Sequence, residues 1–402
     1  MNVGIISIGN ELLNGFTLDS NSTWIARKLV DLGIPVNLKL TVHDDKSEIV
    51  EAFHIVSEKC EVILCTGGLG PTSDDVTKSA YCQFISAGLK LDETYLAELQ
   101  KRFDRRGLSM SDANREQALV PDKGGVIPNP FGSALGLKYI DVERRIYLMP
   151  GVPSEMKRMM EETILPELEN LPRQKFLVTA LRTTGIMESA LYDLVKDLLD
   201  DKKVSISFLP GFMGVDIRLS SPDQKAMNEL SKNIFRRIKN YVYAEDWETM
   251  EDVVGRTLIE RGMTLATAES CTGGLLGNRI TNTPGSSEYY LGGVVSYSDT
   301  AKRNLLGVSQ DTLSSVGAVS AETAQEMAVG VRQLFQSDIG VSITGIAGPG
   351  GGTPEKPVGL VFIAVDVSGD IEVRQFIFSE DRRYNKELSA QTALNLVRLS
   401  LL

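Results

Sequence analysis

The chain has 402 residues, 42% hydrophobic and 24% charged, with a formal net charge of −11 at pH 7. That length suits two or three cores of ordinary size. The acidic balance argues against a general affinity for nucleic acid, whose phosphates call for clustered Lys and Arg. Four cysteines (Cys60, Cys65, Cys82, Cys271) show no metal-ligand spacing, and the only histidines are His43 and His54. Beyond residue 54, therefore, no imidazole can serve as base or ligand. No apolar run approaches the ~18–20 residues that span a bilayer. MNVGIISIG reads as a buried first strand with no basic leader, so a cytoplasmic address and no membrane contact are expected.

In chain order, VGIISI (3–8) is a short β-branched run. SNSTWIARKLVDLG predicts a helix with Ile25, Leu29 and Leu32 on one face and Gly33 as its stop. VNLKLTV, a helix through Ile49, Val50, Phe53 and Val56, and EVILC (61–65) complete a β-α-β-α-β series, which predicts a largely parallel sheet between helices. A further helix is expected after TGGLGPTSDD, and this domain runs through NPFGSALGL and IYLMPGVPSEMKRMM to residue 170. Leu171-Pro172-Arg173 breaks the pattern. Over 171–245, KFLVTALRT (strand), ESALYDLVKDLL (helix), SISFL and GVDIRLS (strands) and KAMNELSKNIFRRIKNYV (helix) form a small α+β unit. A second α/β series over 246–402 starts with the helix MEDVVGRTLIERG and the strand MTLATA. It continues through the strands GGVVSYS, IGVSITGIA, VGLVFIAVDV and EVRQFIF to a closing helix over 386–402. The expected fold class is α/β: two α/β sandwich domains joined by a small α+β domain.

Two stretches carry chemistry. In TGGLGPTSDD, a strand delivers Gly67, Gly68, Gly70 and Thr72 to the start of a helix, a turn whose free N–H groups suit a phosphate. Asp74 and Asp75 would repel a bare phosphate, and make sense there as ligands of a bridging divalent cation such as magnesium. Either aspartate could instead cap the helix. Gly9, Asn10, Glu11, Asn14, Asp19 and Asn21 should lie near the same carboxyl edge, where open α/β sheets bind ligands. The stretch lacks GK[ST], which sets it apart from ordinary ATPases.

In TLATAESCTGG, Ser270, Cys271 and Thr272 stand where a strand meets a helix, and the N–H groups of Thr272, Gly273 and Gly274 are expected to be free for an oxyanion. A serine nucleophile needs a base, and without histidine a buried lysine is the substitute. Lys302, in VVSYSDTAKRNLLGV after Tyr297, is positioned for that. The glycine-rich SITGIAGPGGGTPEKPVG offers Thr344, Gly345 and Gly348 to wrap a phosphorylated substrate, with Arg382 as counter-charge. Ser270 as a plain helix cap, Cys271 as packing and Lys302 as a surface lysine are the competing roles.

Several ordered strings resemble the CinA (competence/damage-inducible protein A) family over nearly the whole chain. They are GNELLNG, DSNS, TGGLGPTSDD, NREQA, LMPGVPSEM, TAESCTGGLL, PGSS, VVSYSDTAK, GAVS and SITGIAGPGGG with KPVG. The resemblance implies that the first domain is similar to the molybdopterin-binding (MogA/MoeA-like) fold, with a metal-dependent ADP-ribose pyrophosphatase activity giving AMP and ribose 5-phosphate. It implies a KH-like middle domain, though the only GxxG, Gly211–Gly214, precedes a strand and does not join two helices, so no RNA clamp is expected. It implies that the last domain resembles nicotinamide-nucleotide amidases, which convert nicotinamide mononucleotide (NMN) to nicotinic acid mononucleotide and ammonia with no cofactor. There Ser270 matches the nucleophile, Lys302 its base and Tyr297 a neighbour in the same catalytic string. A homodimer is implied as well. The alternative is a first domain that only binds a pterin or nucleotide, in a competence or DNA-repair interaction protein. Two positions depart from the family pattern: Leu135 stands where proline is common, and Asp299 where asparagine is. The first is expected to alter the phosphate loop, and the second could raise the Lys302 pKa.

Overall fold

The computed structural model describes residues 1–171, 176–200, 202–211 and 213–402. The expected break at Pro172 and Arg173 lies outside them, as does Phe212 of the GxxG stretch. The chain forms two compact units, Met1–Val178 and Thr179–Leu402.

The first unit begins with β1 (Val3–Ile8), buried along its whole length. Helix α1 (Ser20–Asp31) starts where Asp19 accepts a hydrogen bond from the Ser22 N–H, buries Ile25 and Leu29, and stops before Gly33, whose φ of +72° suits a residue without Cβ. β2 (Val36–Val42) follows, then α2 (Lys46–Ser57), β3 (Val62–Thr66) and α3 (Thr77–Phe84). Next come α4 (Glu93–Arg105), β4 (Gly125–Ile127), β5 (Gly136–Ile140) and β6 (Arg145–Met149), with α4 and β4 absent from the sequence reading. The sheet order is β2-β1-β3-β6-β5-β4. β1, β2, β3 and β6 run parallel, and β5 and β4 add an antiparallel edge. Strand alternation sends Ile6, Ile63 and Leu148 to a core with Phe53 and Tyr81, and Ile5, Leu64 and Tyr147 to a core with Ile25 and Met156. Leu135 belongs to neither. It packs with Tyr95, Leu99, Ala118 and Val120 in a satellite cluster.

The second unit opens with β7 (Leu177–Thr183), in which the division between the units falls. It continues with α5 (Glu188–Val195), β8 (Ser205–Gly211), β9 (Gly214–Ser221), α6 (Gln224–Ile238) and β10 (Val242–Glu245). These strands make a sheet of order β8-β9-β7-β10. The expected helix through Val242 ends earlier, because the chain turns there to pair β10 with β7. Gly211 and Gly214 face each other across the β8–β9 hairpin.

The rest of the unit contains α7 (Met250–Arg261), β11 (Leu265–Glu269), α8 (Leu275–Thr281), β12 (Tyr290–Val295) and α9 (Asp299–Leu306). It ends with α10 (Ala321–Phe335), β13 (Ile339–Gly345), β14 (Leu360–Val367), β15 (Asp370–Ile377) and α11 (Arg382–Ser400). Its sheet has the order β12-β11-β13-β14-β15. β11 is parallel to both neighbours, while β14 and β15 are antiparallel. Helix α11 begins at Arg382, capped by Asp381, earlier than the sequence reading placed it. Among the described residues no helix is long and apolar enough to cross a membrane.

Candidate functional site: a buried serine–lysine pair

β11 is the central parallel strand of its sheet, and its last residue, Glu269, delivers Ser270 at the carboxyl edge. The Ser270 N–H donates to the Ile343 carbonyl of β13 at 3.0 Å, and the Ser296 N–H donates to the Glu269 carbonyl at 2.8 Å. Both neighbouring strand ends therefore hold the turn. Helix α9, capped by the Ser298 hydroxyl, places Lys302 and Leu306 on its buried face. Lys302 is 1% exposed. Its ammonium donates to the Ser270 Oγ at 3.1 Å and to the Ser296 carbonyl at 2.8 Å.

Burial pulls the Lys302 pKa below its ordinary value, with Asp299 and Cys271 opposing more weakly. Desolvation outweighs the nearby carboxylate because Asp299 makes no ion pair with the lysine among the described contacts. Cys271 is buried and packs into the core with Leu276 and Val341; burial pushes its thiol up to about 12. A thiol held neutral in this way is a poor nucleophile at physiological pH. Geometry thus separates three adjacent residues that spacing alone could not.

Several expectations change. The helix-start N–H groups are not all free: the buried Glu269 carboxylate accepts from Gly274 at 3.0 Å, Leu276 at 3.1 Å and Gly277 at 2.8 Å. The Gly273 N–H donates to the Ser270 carbonyl at 3.1 Å. Among the described contacts the N–H groups of Cys271 and Thr272 donate to no carbonyl, and they are what remains beside Ser270. Gly273 and Gly274, with φ of +63° and +95°, serve the left-handed turn rather than an oxyanion. Thr272 is fully buried and its hydroxyl has no partner among the described residues.

Tyr297 is 61% exposed and is not bonded to the serine–lysine pair. Its hydroxyl accepts from Arg382 at 2.9 Å, while Arg382 also donates to the Gly348 carbonyl at 2.8 Å. Tyr297, Arg382 and Gly348 thus form a rim at one side of the edge. Thr344 gives its hydroxyl to the Ala318 carbonyl at 2.6 Å, and a Cβ at Gly345 would stand 2.7 Å from the Leu360 carbonyl. Both anchor the glycine-rich loop and do not present free groups.

Sequence reasoning missed two residues of α11. Asn385 is buried and donates to the Ala347 carbonyl at 2.9 Å, tying the loop to the helix. Lys386 brings its ammonium to 3.8 Å from the point where a Gly273 Cβ would lie, and among the described residues no carboxylate pairs with it or with Arg382. The one available signal was Lys386 standing a helical turn after Arg382.

In the first unit, Gly67 (φ +113°) donates its N–H to the Met149 carbonyl at 3.1 Å. A Cβ there would lie 2.2 Å from the Ile8 carbonyl, and one on Gly68 2.2 Å from the Thr77 hydroxyl, so the turn admits only glycine. Thr72 donates its N–H to Asp75 Oδ2 at 2.9 Å, and its hydroxyl to the same oxygen. Asp75 therefore closes its own loop, and Thr72 is committed to it. Asp19 is likewise a cap, accepting from Ser7 and Ser22. Asn21 bridges Thr66 and the Gly151 carbonyl at 3.1 and 2.8 Å, leaving its side-chain oxygen buried and unpartnered. Among the described residues no group of three or more His, Cys, Asp or Glu could hold a metal ion. Asp74 is exposed beside Asp75, and hard carboxylate oxygens of this kind are what a magnesium ion would need there, with phosphates and water to complete its shell.

Fold and site together define an α/β protein with a serine–lysine pair at the carboxyl edge of a mostly parallel sheet. Three family models match it: "CinA C-terminal domain" over residues 247–401, "Probable molybdopterin binding domain" over 4–170 and "Damage-inducible protein CinA KH domain" over 179–244. A CinA-like protein of Geobacter sp. (strain M21) is 41% identical over 405 residues, covering 100% of this chain and 98% of the relative. One from Geotalea uraniireducens is 39% identical over 411 residues, with coverage of 100% and 98%. The crystal structure of the competence/damage inducible protein CihA from Agrobacterium tumefaciens is 37% identical, covers 39% of this chain and 97% of its own, and has a TM-score of 0.37. The chain belongs to the CinA family.

Proposed function

We propose that the last domain is an amidase that hydrolyses the carboxamide of nicotinamide mononucleotide to nicotinic acid mononucleotide and ammonia. The observation that carries this reading is the buried Lys302 ammonium 3.1 Å from the Ser270 hydroxyl, in a region with no histidine. Neutral Lys302 takes the Ser270 proton as Oγ attacks the amide carbon. The oxyanion that forms faces the N–H groups of Cys271 and Thr272, as in other hydrolases where the residue after the nucleophile donates. Lys302 then returns the proton to the leaving nitrogen, ammonia departs, and water activated by the same amine cleaves the acyl-enzyme. Arg382 and Lys386, two cations without carboxylate partners among the described residues, are suited to a substrate phosphate.

The deciding experiment follows ammonia release from nicotinamide mononucleotide by the intact chain. Ser270→Ala should lower turnover by roughly 10⁴-fold or more, whereas Cys271→Ala should stay near wild type. Loss in Cys271→Ala alone would overturn the serine mechanism.

For the first domain, we propose hydrolysis of ADP-ribose to AMP and ribose 5-phosphate, with Asp74 and Asp75 holding a divalent ion beside the diphosphate. Such an ion, when bound, would neutralise phosphate charge; Gly68 and Gly70 bring their backbone to the diphosphate, while the Gly67 N–H stays with the Met149 carbonyl. A second reading, binding of a pterin or nucleotide without turnover, is favoured by the commitment of one Asp75 oxygen to Thr72. The wider role in competence or damage response that the relatives' names carry, a cytoplasmic setting and a homodimer belong to this proposal too.

A further inference from the structure

Glu269 is 1% exposed, has no cation partner among the described residues, and stands directly before Ser270. Burying a carboxylate without a counter-ion is costly unless hydrogen bonds satisfy it. Here three backbone N–H groups do so, from Gly274, Leu276 and Gly277, at 2.8 to 3.1 Å. The side chain thus ties the end of β11 to the start of α8 and turns the segment between them into a closed loop, with the buried Ser270, Cys271 and Thr272 in its bend. Nearby groups make room for it. Gly277 has no Cβ, and one added there would stand 2.8 Å from the Tyr290 hydroxyl and 3.5 Å from the Glu269 carboxylate. The Tyr290 hydroxyl is engaged with Thr267 at 2.7 Å, so it does not compete for the carboxylate.

We propose that Glu269 is a positioning residue for Ser270: its carboxylate clasps the start of α8 so that the Cys271 and Thr272 N–H groups, and no others, face the adduct on the serine. Leu276 and Gly277 are the positions an ordinary helix cap serves, and what sets this one apart is the residue that supplies it. This carboxylate comes from the residue adjoining the nucleophile, so any change in the clasp moves the serine with it. It also takes up the helix N–H groups that would otherwise draw an anionic substrate group away from the bend.

The proposal rests on Ser270 as nucleophile but not on which amide it cleaves. It is therefore tested with a small alkyl fluorophosphonate on the full chain, where Ser270 Oγ bonds to phosphorus and fluoride leaves. Mass spectrometry counts the labelled serine, and ammonia release from nicotinamide mononucleotide is followed in parallel. Glu269→Gln keeps the length but sets an amide N–H₂ against a backbone donor. Glu269→Asp keeps the charge but loses reach, and decides the matter if the first variant fails to fold.

Labelling and kcat per folded molecule should both fall about 10- to 100-fold, the order expected for a misplaced nucleophile or lost oxyanion donor. KM should stay within about threefold and the pH midpoint of the rate should not move. Wild-type labelling with only a lowered melting temperature would reduce Glu269 to a structural cap. A shifted pH midpoint would make it an electrostatic partner of Lys302. Either result overturns the proposal. Normal labelling of the wild type without ammonia release would remove the substrate reading and leave the clasp standing.

Discussion

Lys302 shows how one residue can be functional and costly for the same reason. Its amine must be neutral to accept a proton, and burial is what lowers its pKa below 10.5. Turnover should therefore rise with pH to a midpoint below the ordinary lysine value. Lys302→Arg, which keeps the charge but cannot lose it, should abolish turnover at every pH. Stability follows the same titration. Between the lowered folded-state pKa and 10.5 the unfolded chain holds a proton that the folded chain lacks, so stability rises with pH across that window. The melting temperature of wild type relative to Lys302→Met should consequently improve between neutral pH and pH ~10. A flat difference would mean that the amine is not desolvated in the folded state. The residue types for this chemistry were readable from the sequence, because a chain without histidine in its second half leaves lysine as the usable amine. That Cys271 points into the core and Tyr297 out to Arg382 was not readable, since neighbours on a turn diverge by backbone direction rather than by identity.

At the level of elements, the long β-branched strands and the helices with a clear apolar stripe were legible. α10 escaped the sequence reading because its buried positions are mostly small: Thr323, Ala324, Met327, Ala328 and Val331 give little contrast with its exposed face. Small side chains are needed there, for a Cβ on Gly330 would stand 1.9 Å from the Leu306 carbonyl, and one on Gly340 2.2 Å from the Ala328 carbonyl. The start of α11 was placed too late for a different reason. Asp381 caps it, and the cap turns Arg382 and Lys386 into a pair on one helix face. Lys386→Met should raise KM for nicotinamide mononucleotide about 10-fold, the scale of one charge-assisted hydrogen bond, with kcat nearly unchanged. The same variant should handle nicotinamide riboside, which lacks the phosphate, like wild type. An equal loss on both substrates would place the lysine's role elsewhere.

Across the whole molecule, the two candidate sites sit in separate compact units, each with its own core. Ser270→Ala should accordingly leave AMP release from ADP-ribose untouched, and Asp74→Asn should leave ammonia release untouched while lowering AMP release at least 10-fold, as loss of a metal-held carboxylate would. Turnover of ADP-ribose that survives a chelator would remove the metal reading. By itself the sequence determined the α/β class, the family and the shortlist of chemistry, because strand and helix periods, glycine turns and residue inventories are local properties. Only the tertiary structure decided which of those residues meet. Ser270 and Lys302 lie on different elements and come together because parallel neighbours in one sheet end at the same edge. The same packing turned Glu269 inward to the N–H groups of α8 and committed Asp75 to Thr72, and no spacing along the chain encodes either contact.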